Sequence, residues 1–170
     1  MSKRFNVARW IIFGLTVLWT AYIIYHSFLD ASASSGASEG LAKLLQNIIN
    51  TFSPNAINES NIDAFHSFLR KFIGHFSFFV IDGVLVSWTI YLFGNEKLKT
   101  RQFYIGIIIS LTFGLLLASL TELIQLYAPG RSGEIKDVLI DFSGYLLGFL
   151  ILFLICLIRI LNKNKRLSEE

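Results

Sequence analysis

Little in this 170-residue chain is charged, and only one residue is cysteine. Asp, Glu, Lys and Arg make up 16% of it, where a soluble globular domain carries about 25%. The lone Cys156 excludes an intrachain disulfide and any multi-cysteine metal site. Set in an apolar run, it reads as a packing residue. There is no P-loop, no dinucleotide-binding glycine pattern and no internal repeat. No Ser or Cys occupies a recognised nucleophile motif. The formal charge of +3 does not point to nucleic acid, because the basic residues gather at segment ends and not on one face.

What is present is hydrophobic: 54% of the residues, 15% aromatic, with mean hydropathy +0.57. Apolar runs occur at 10–29, 72–93, 104–126 and 138–161. Each matches the roughly 20 residues that a helix needs to cross a bilayer. Spanning segments must satisfy their own backbone groups, so helices are expected. The reading is an all-α polytopic membrane protein with four transmembrane helices, forming one membrane domain over 1–170. The first run could be a signal peptide, since Ala31-Ser32-Ala33 resembles a cleavage site. It is longer than the usual signal core, which favours an uncleaved anchor.

Lys and Arg placement sets the direction. Lys3, Arg4 and Arg9 precede the first run; Lys97, Lys99 and Arg101 join the second to the third; Arg159, Lys163, Lys165 and Arg166 end the chain. Both termini, with a basic tail at 162–170, are therefore expected in the cytoplasm. The loop 30–71 and the short loop around Arg131 face outward. Within the long loop, DASASSGASEG is expected to be flexible or turn-like. Leu41, Leu44, Leu45, Ile48, Ile49 and Phe52 then follow helical spacing, predicting an amphipathic helix over 41–52 on the outer membrane surface. Pro54 ends it. Ser60 and Asp63 have capping-box spacing before a short helix, 61–69, that leads into the second span. Asn58-Glu59-Ser60 matches a glycosylation sequon, a motif too short to weigh much.

This topology gathers polar groups at one depth. Lys71 and His75 open the second span, Glu122 and Gln125 close the third, Asp137 and Asp141 open the fourth, and Arg131 lies between the last two. Gly114, Ala118, Glu122 and Gln125 share one helix face; Asp137, Asp141, Gly144 and Gly148 share another; Lys71, His75 and Asp82 share a third. The deeper members of the third and fourth spans are small, which lets backbones approach. Groups of mixed charge inside spans are costly unless they face a cavity and pair. Three explanations stay open: an ion-pair cluster that docks the helices, a ligand or substrate pocket, and ion or proton transport. Asp82 sits ~15 Å further along its helix, and is expected to be protonated or hydrogen-bonded to a polar side chain such as Tyr145, or else to serve as a proton relay. His26 and His66 are expected at the interface.

Glu122-x-x-Gln125, Pro129-Gly130-Arg131 and Asp137-Val138-x-x-Asp141-x-x-Gly144-x-x-x-Gly148, with Arg70-Lys71-x-x-x-His75-Phe76 and the serine-rich run before them, resemble the VanZ-like family over about residues 10–150. That family consists of small bacterial membrane proteins, and its named member is associated with low-level resistance to the lipoglycopeptide teicoplanin. The resemblance implies an envelope location and a role for Lys71, His75, Glu122, Gln125, Arg131 and Asp137. Two positions depart from the pattern. Asp141 stands where the family often has Asn, and Phe78 and Phe79 stand where an acidic residue tends to follow the motif histidine.

Three roles follow. A binding or shielding protein would use Arg131 and Lys71 to hold an acidic group of a membrane lipid, a lipid-linked wall precursor or the antibiotic. A membrane enzyme would use His75 and Glu122 as general acid and base, with Asp137 beside them and Arg131 stabilising negative charge. No cofactor or resident metal is expected, although His75, Glu122 and Asp137 would form an oxygen-rich ligand set in that case. A small transporter using Asp82 and Asp141 is the weakest of the three.

Overall fold

The computed structural model describes residues 3–94 and 100–169, with side chains at 7–30, 39–94 and 104–158. Lys97 and Lys99 of the orientation pattern, and Glu170 at the end of the basic tail, lie outside the described residues. Among the described residues there are five helices and no strand. They are α1 (Lys3–Phe28), α2 (Ala31–Phe52), α3 (Ile62–Phe93), α4 (Thr100–Gln125) and α5 (Ile135–Glu169). Four contain segments long and apolar enough to cross a membrane: Val7–Phe28, Ile62–Phe93, Tyr104–Gln125 and Ile135–Ile158. The fourth runs on through the basic tail as one helix.

The distribution of side chains is inverted relative to a water-soluble protein. Leu18, Ile108, Leu116 and Leu139 are exposed, while Thr16, Asp82, Ser110, Thr121, Glu122 and Asp141 are buried. Lipid solvates the apolar exterior, so helix association must come from close packing and interhelical hydrogen bonds. Both are present. The most extensive interface is α3 against α5. A Cβ on Gly144 would overlap the Phe76 carbonyl, one on Gly148 the Val80 carbonyl, and one on Gly83 the Tyr145 carbonyl. Only glycine permits these approaches. Gly114 of α4 similarly makes room for the Tyr145 ring.

Hydrogen bonds tie the remaining helices. Trp19 Nε1 of α1 donates to the Phe78 carbonyl of α3 at 3.0 Å, and Thr16 meets Thr89 at 2.8 Å. Ser87, Ser110 and Tyr145 form a chain across α3, α4 and α5, each link 3.0 Å. Tyr145 is thus committed to Ser110, and Asp82 finds a different partner from the one expected. Thr20 of α1 donates to Asp82 Oδ1 at 2.8 Å. A polar side chain does partner Asp82 as expected, but the residue is not the one suggested, because helical periodicity ranks residues on one helix and carries no information about which neighbour stands at the same depth.

Two local readings are also corrected, and a third feature is new. The serine-rich segment is helical from Ala31 and continuous with the predicted helix, so no flexible stretch separates them. Extending an established helix costs only the modest propensity deficit of Ser, since nucleation is already met. The capping box at Ser60 and Asp63 does not form. Asn61 is the N-cap without a side-chain bond, and the Ser60 hydroxyl instead donates to Asn58 Oδ1 at 2.6 Å. Asn50 organises this loop, exchanging two 2.9 Å bonds with the backbone of Ile57. Finally, α3 is not a uniform α-helix. Arg70–Phe76 winds as a π-helix, with the Ser77 N–H reaching the Phe72 carbonyl five residues back. The Ser77 hydroxyl donates to the same carbonyl at 2.9 Å. Such segments are uncommon and concentrate at functional sites.

Candidate functional site

The π-helical segment carries Arg70, Lys71 and His75. Its extra width per turn changes which side chains of α3 face α5. Lys71 and His75 then reach carboxylates one helical turn apart on α5. Lys71 Nζ contacts Asp137 Oδ1 at 2.6 Å and Glu134 Oε2 at 3.4 Å. One turn deeper, His75 Nδ1 lies 3.1 Å from Asp141 Oδ1 and 3.7 Å from Glu122 Oε1 of α4. The site has two tiers: an outer Lys71–Asp137–Glu134 group and an inner His75–Asp141–Glu122 group.

The tiers differ in exposure. The Lys71 and Glu134 side chains are 26% and 46% exposed, so water screens the outer pairing. The Asp141 side chain is fully buried and that of Glu122 nearly so. Glu122 Oε2 accepts the backbone N–H of Glu134 at 3.0 Å, which links the end of α4 to the start of α5. Its other oxygen, Oε1, accepts no hydrogen bond among the described residues. Ligating atoms of His75, Glu122 and Asp141 all lie within 4.8 Å of one another. The trio of His75, Glu122 and Asp137 anticipated for an enzyme is rearranged: Asp141 takes the place beside His75, and Asp137 turns to Lys71.

Beside the inner tier lies a cavity of about 220 Å³. Arg70, Arg131, His26 and Gln125 supply polar walls, and Tyr22, Ile23 and Phe78 supply apolar ones. His75 and Asp141 line its inner side, and Leu41 of α2 borders it. Arg131 enters from the loop after α4, where Nη1 donates to the His26 carbonyl at 3.3 Å. Partial burial draws its guanidinium below its ordinary value, with the like charge of Arg70 acting the same way. It remains cationic at any physiological pH.

The sequence pattern of the VanZ/LLP1 family matches residues 12–158, which include every residue of both tiers and of the cavity wall. The chain belongs to the VanZ/LLP1 family. No curated protein and no solved structure matches it. In this VanZ/LLP1 protein, Phe78 lines the cavity and Phe79 is a core residue. The acidic groups facing His75 come from α4 and α5 instead of from its own helix. Asp141, where an Asn was expected from the resemblance, makes the shortest contact to His75.

All seven residues singled out from the sequence as binding candidates fall in or beside this site. Four contributors were missed: Arg70 and His26 at the cavity, Glu134 in the outer tier, and Thr20 beneath Asp82. Glu134 lies one turn before Asp137, a spacing that gives a signal in the sequence. His26 and Thr20 belong to α1, whose rotation about its axis no motif specifies.

Proposed function

We propose that this VanZ/LLP1 protein lies in a bacterial cytoplasmic membrane with both termini inside, and that its outer-face cavity binds an acidic group carried by a lipid-tailed molecule. Binding or shielding at the outer leaflet would give low-level resistance to teicoplanin-type lipoglycopeptides. The observation that carries this reading is the make-up of the cavity: two guanidinium groups, Arg70 and Arg131, face a wall of Tyr22, Ile23 and Phe78. Guanidinium geometry suits carboxylate or phosphate, and the apolar wall suits the first carbons of a tail. Family membership supports the same direction. Helix α2 adds to it, since Leu44, Ile48 and Phe52 are exposed on one side and would lie in the headgroup region.

A sensitive Gram-positive host expressing the wild type should show a raised teicoplanin inhibitory concentration. At matched membrane levels Arg131→Glu should lose that protection and Arg131→Lys should retain part of it. Absence of protection by the wild type would sink the resistance role.

An enzyme acting on an outer-leaflet lipid or wall precursor is the second reading. It is favoured by the inner tier, where an imidazole faces two carboxylates at the cavity edge. Glu122→Gln separates the two: a general acid/base role predicts loss of function at full expression, and simple anion binding predicts survival of it. Transport through Asp82 has less support, because its hydrogen-bond partner is the Thr20 hydroxyl.

A further inference from the structure

An ion-pair cluster does not account for Glu122. Its side chain is 5% exposed, yet Oε1 accepts no hydrogen bond among the described residues. That oxygen faces His75 Nδ1 at 3.7 Å, beyond hydrogen-bonding range. Asp141 already takes Nδ1 at 3.1 Å. One ring nitrogen carries at most one proton, so it cannot serve both carboxylates. A buried carboxylate oxygen without a donor is destabilising. A cation placed among the three groups would satisfy all of them together.

We propose that His75 Nδ1, Glu122 Oε1 and a carboxylate oxygen of Asp141 bind a first-row divalent cation, zinc or manganese, with its remaining coordination (one position for tetrahedral zinc, more for manganese) open to the cavity. Ligands around a tetrahedral ion at 2.0–2.1 Å stand about 3.4 Å apart. The separations of 3.1 Å and 3.7 Å fall on either side of that distance. Two carboxylates and a dication sum to zero, which matters where solvent is excluded. One imidazole with two carboxylates lies between the preferences of zinc and manganese and is too nitrogen-poor for copper or nickel. The Glu134 N–H on Glu122 Oε2 orients that ligand, as outer contacts do at metal sites. Lys71 holds Asp137 away, so the protein supplies three ligands and leaves a position free.

Nδ1 must carry no proton to act as a ligand: a neutral imidazole would move its proton to Nε2, and an imidazolium would release one proton on metal uptake. Its open position would take an anionic oxygen from whatever occupies the cavity. The metal site does not depend on the identity of that occupant, and it is tested without any antibiotic.

The full-length protein, purified in detergent and stripped with EDTA, is titrated with zinc and with manganese by calorimetry, and its retained metal is measured after desalting. The wild type is expected to hold a single ion per chain. Glu122→Gln and Asp141→Asn should each weaken it at least ~10-fold, while Glu39→Gln, an exposed carboxylate of α2 outside the site, should leave affinity within about threefold. If Asp141→Asn does not fold, Glu122→Gln decides, because Oε1 makes no hydrogen bond whose loss would unfold the chain. A zinc-dependent rise in the wild-type melting temperature, reversed by EDTA, is an independent readout. No retained ion in the wild type, or equal losses in Glu39→Gln and Glu122→Gln, would overturn the assignment.

Discussion

Lys71 and His75 divide the acidic residues of the site between them, and the division sets what each substitution does. Asp137 is 6% exposed and has Lys71 as its cationic partner at 2.6 Å. Lys71→Ala strands that carboxylate. Loss of one partner from a fully buried pair costs about 3–5 kcal/mol. Lys71 is about one-quarter exposed, so solvent screening reduces the expected loss to about 1–2 kcal/mol. The double variant Lys71→Ala with Asp137→Asn should recover most of it, because no uncompensated charge is left. Thermal unfolding in detergent of the two singles and the double gives the coupling directly. Equal melting temperatures for Lys71→Ala and the wild type would show the pair to be energetically idle. The exposed Lys43–Glu39 pair offers a contrast. It is 2.6 Å long and one helical turn apart, and the Lys43 ammonium holds the Glu39 carboxyl below its ordinary value. Both partners remain in solvent, and removing either should leave stability unchanged.

At the scale of elements, the α3–α5 seam depends on glycine. Gly148→Ala would push a methyl group into the Val80 carbonyl. Overpacking of this kind costs about 1–3 kcal/mol, more than the roughly 0.5–1 kcal/mol that Ala gains over Gly in a helix. Gly14 of α1 has nothing within 4 Å of where its Cβ would stand, so only the helix-propensity gain operates there. Gly148→Ala should lower the melting temperature and Gly14→Ala should leave it unchanged or raise it. A matching fall in both would mean that the seam tolerates a methyl group and that its glycines are not packing devices. The small residues on these helices were legible from spacing, as were the spans themselves. The π-helical segment was not. Arg70–Phe76 contains ordinary helix formers and a single glycine, and nothing in that composition specifies a five-residue hydrogen-bond spacing. It persists because it allows Lys71 and His75 to meet carboxylates on the facing helix.

The whole molecule presents an apolar exterior around a polar interior, with the ionisable site at one end of the bundle. Its direction in the membrane rests on the lysines and arginines outside the spans. A C-terminal fluorescent protein should therefore be bright, and a C-terminal alkaline phosphatase inactive. In a Cys156→Ser background, Ser132→Cys, on the exposed loop beside Arg131, should react with an impermeant maleimide from outside intact cells. The opposite labelling would put the cavity on the cytoplasmic side and remove any direct role against an extracellular antibiotic.

Hydrophobic run length determined four spans without reference to contacts, because a bilayer imposes one length on every helix that crosses it. Helical periodicity and motif order brought Lys71, His75, Glu122, Gln125, Arg131, Asp137 and Asp141 to the same end of the bundle. Pairing lay beyond both. That Asp137 faces Lys71 while Asp141 faces His75, that Thr20 and not Tyr145 bonds Asp82, and that Arg70 and His26 wall a cavity all depend on how each helix turns about its own axis. That rotation is set by the glycine seams, by the interhelical hydrogen bonds and by the π-helical segment, and these act only once the helices are packed together.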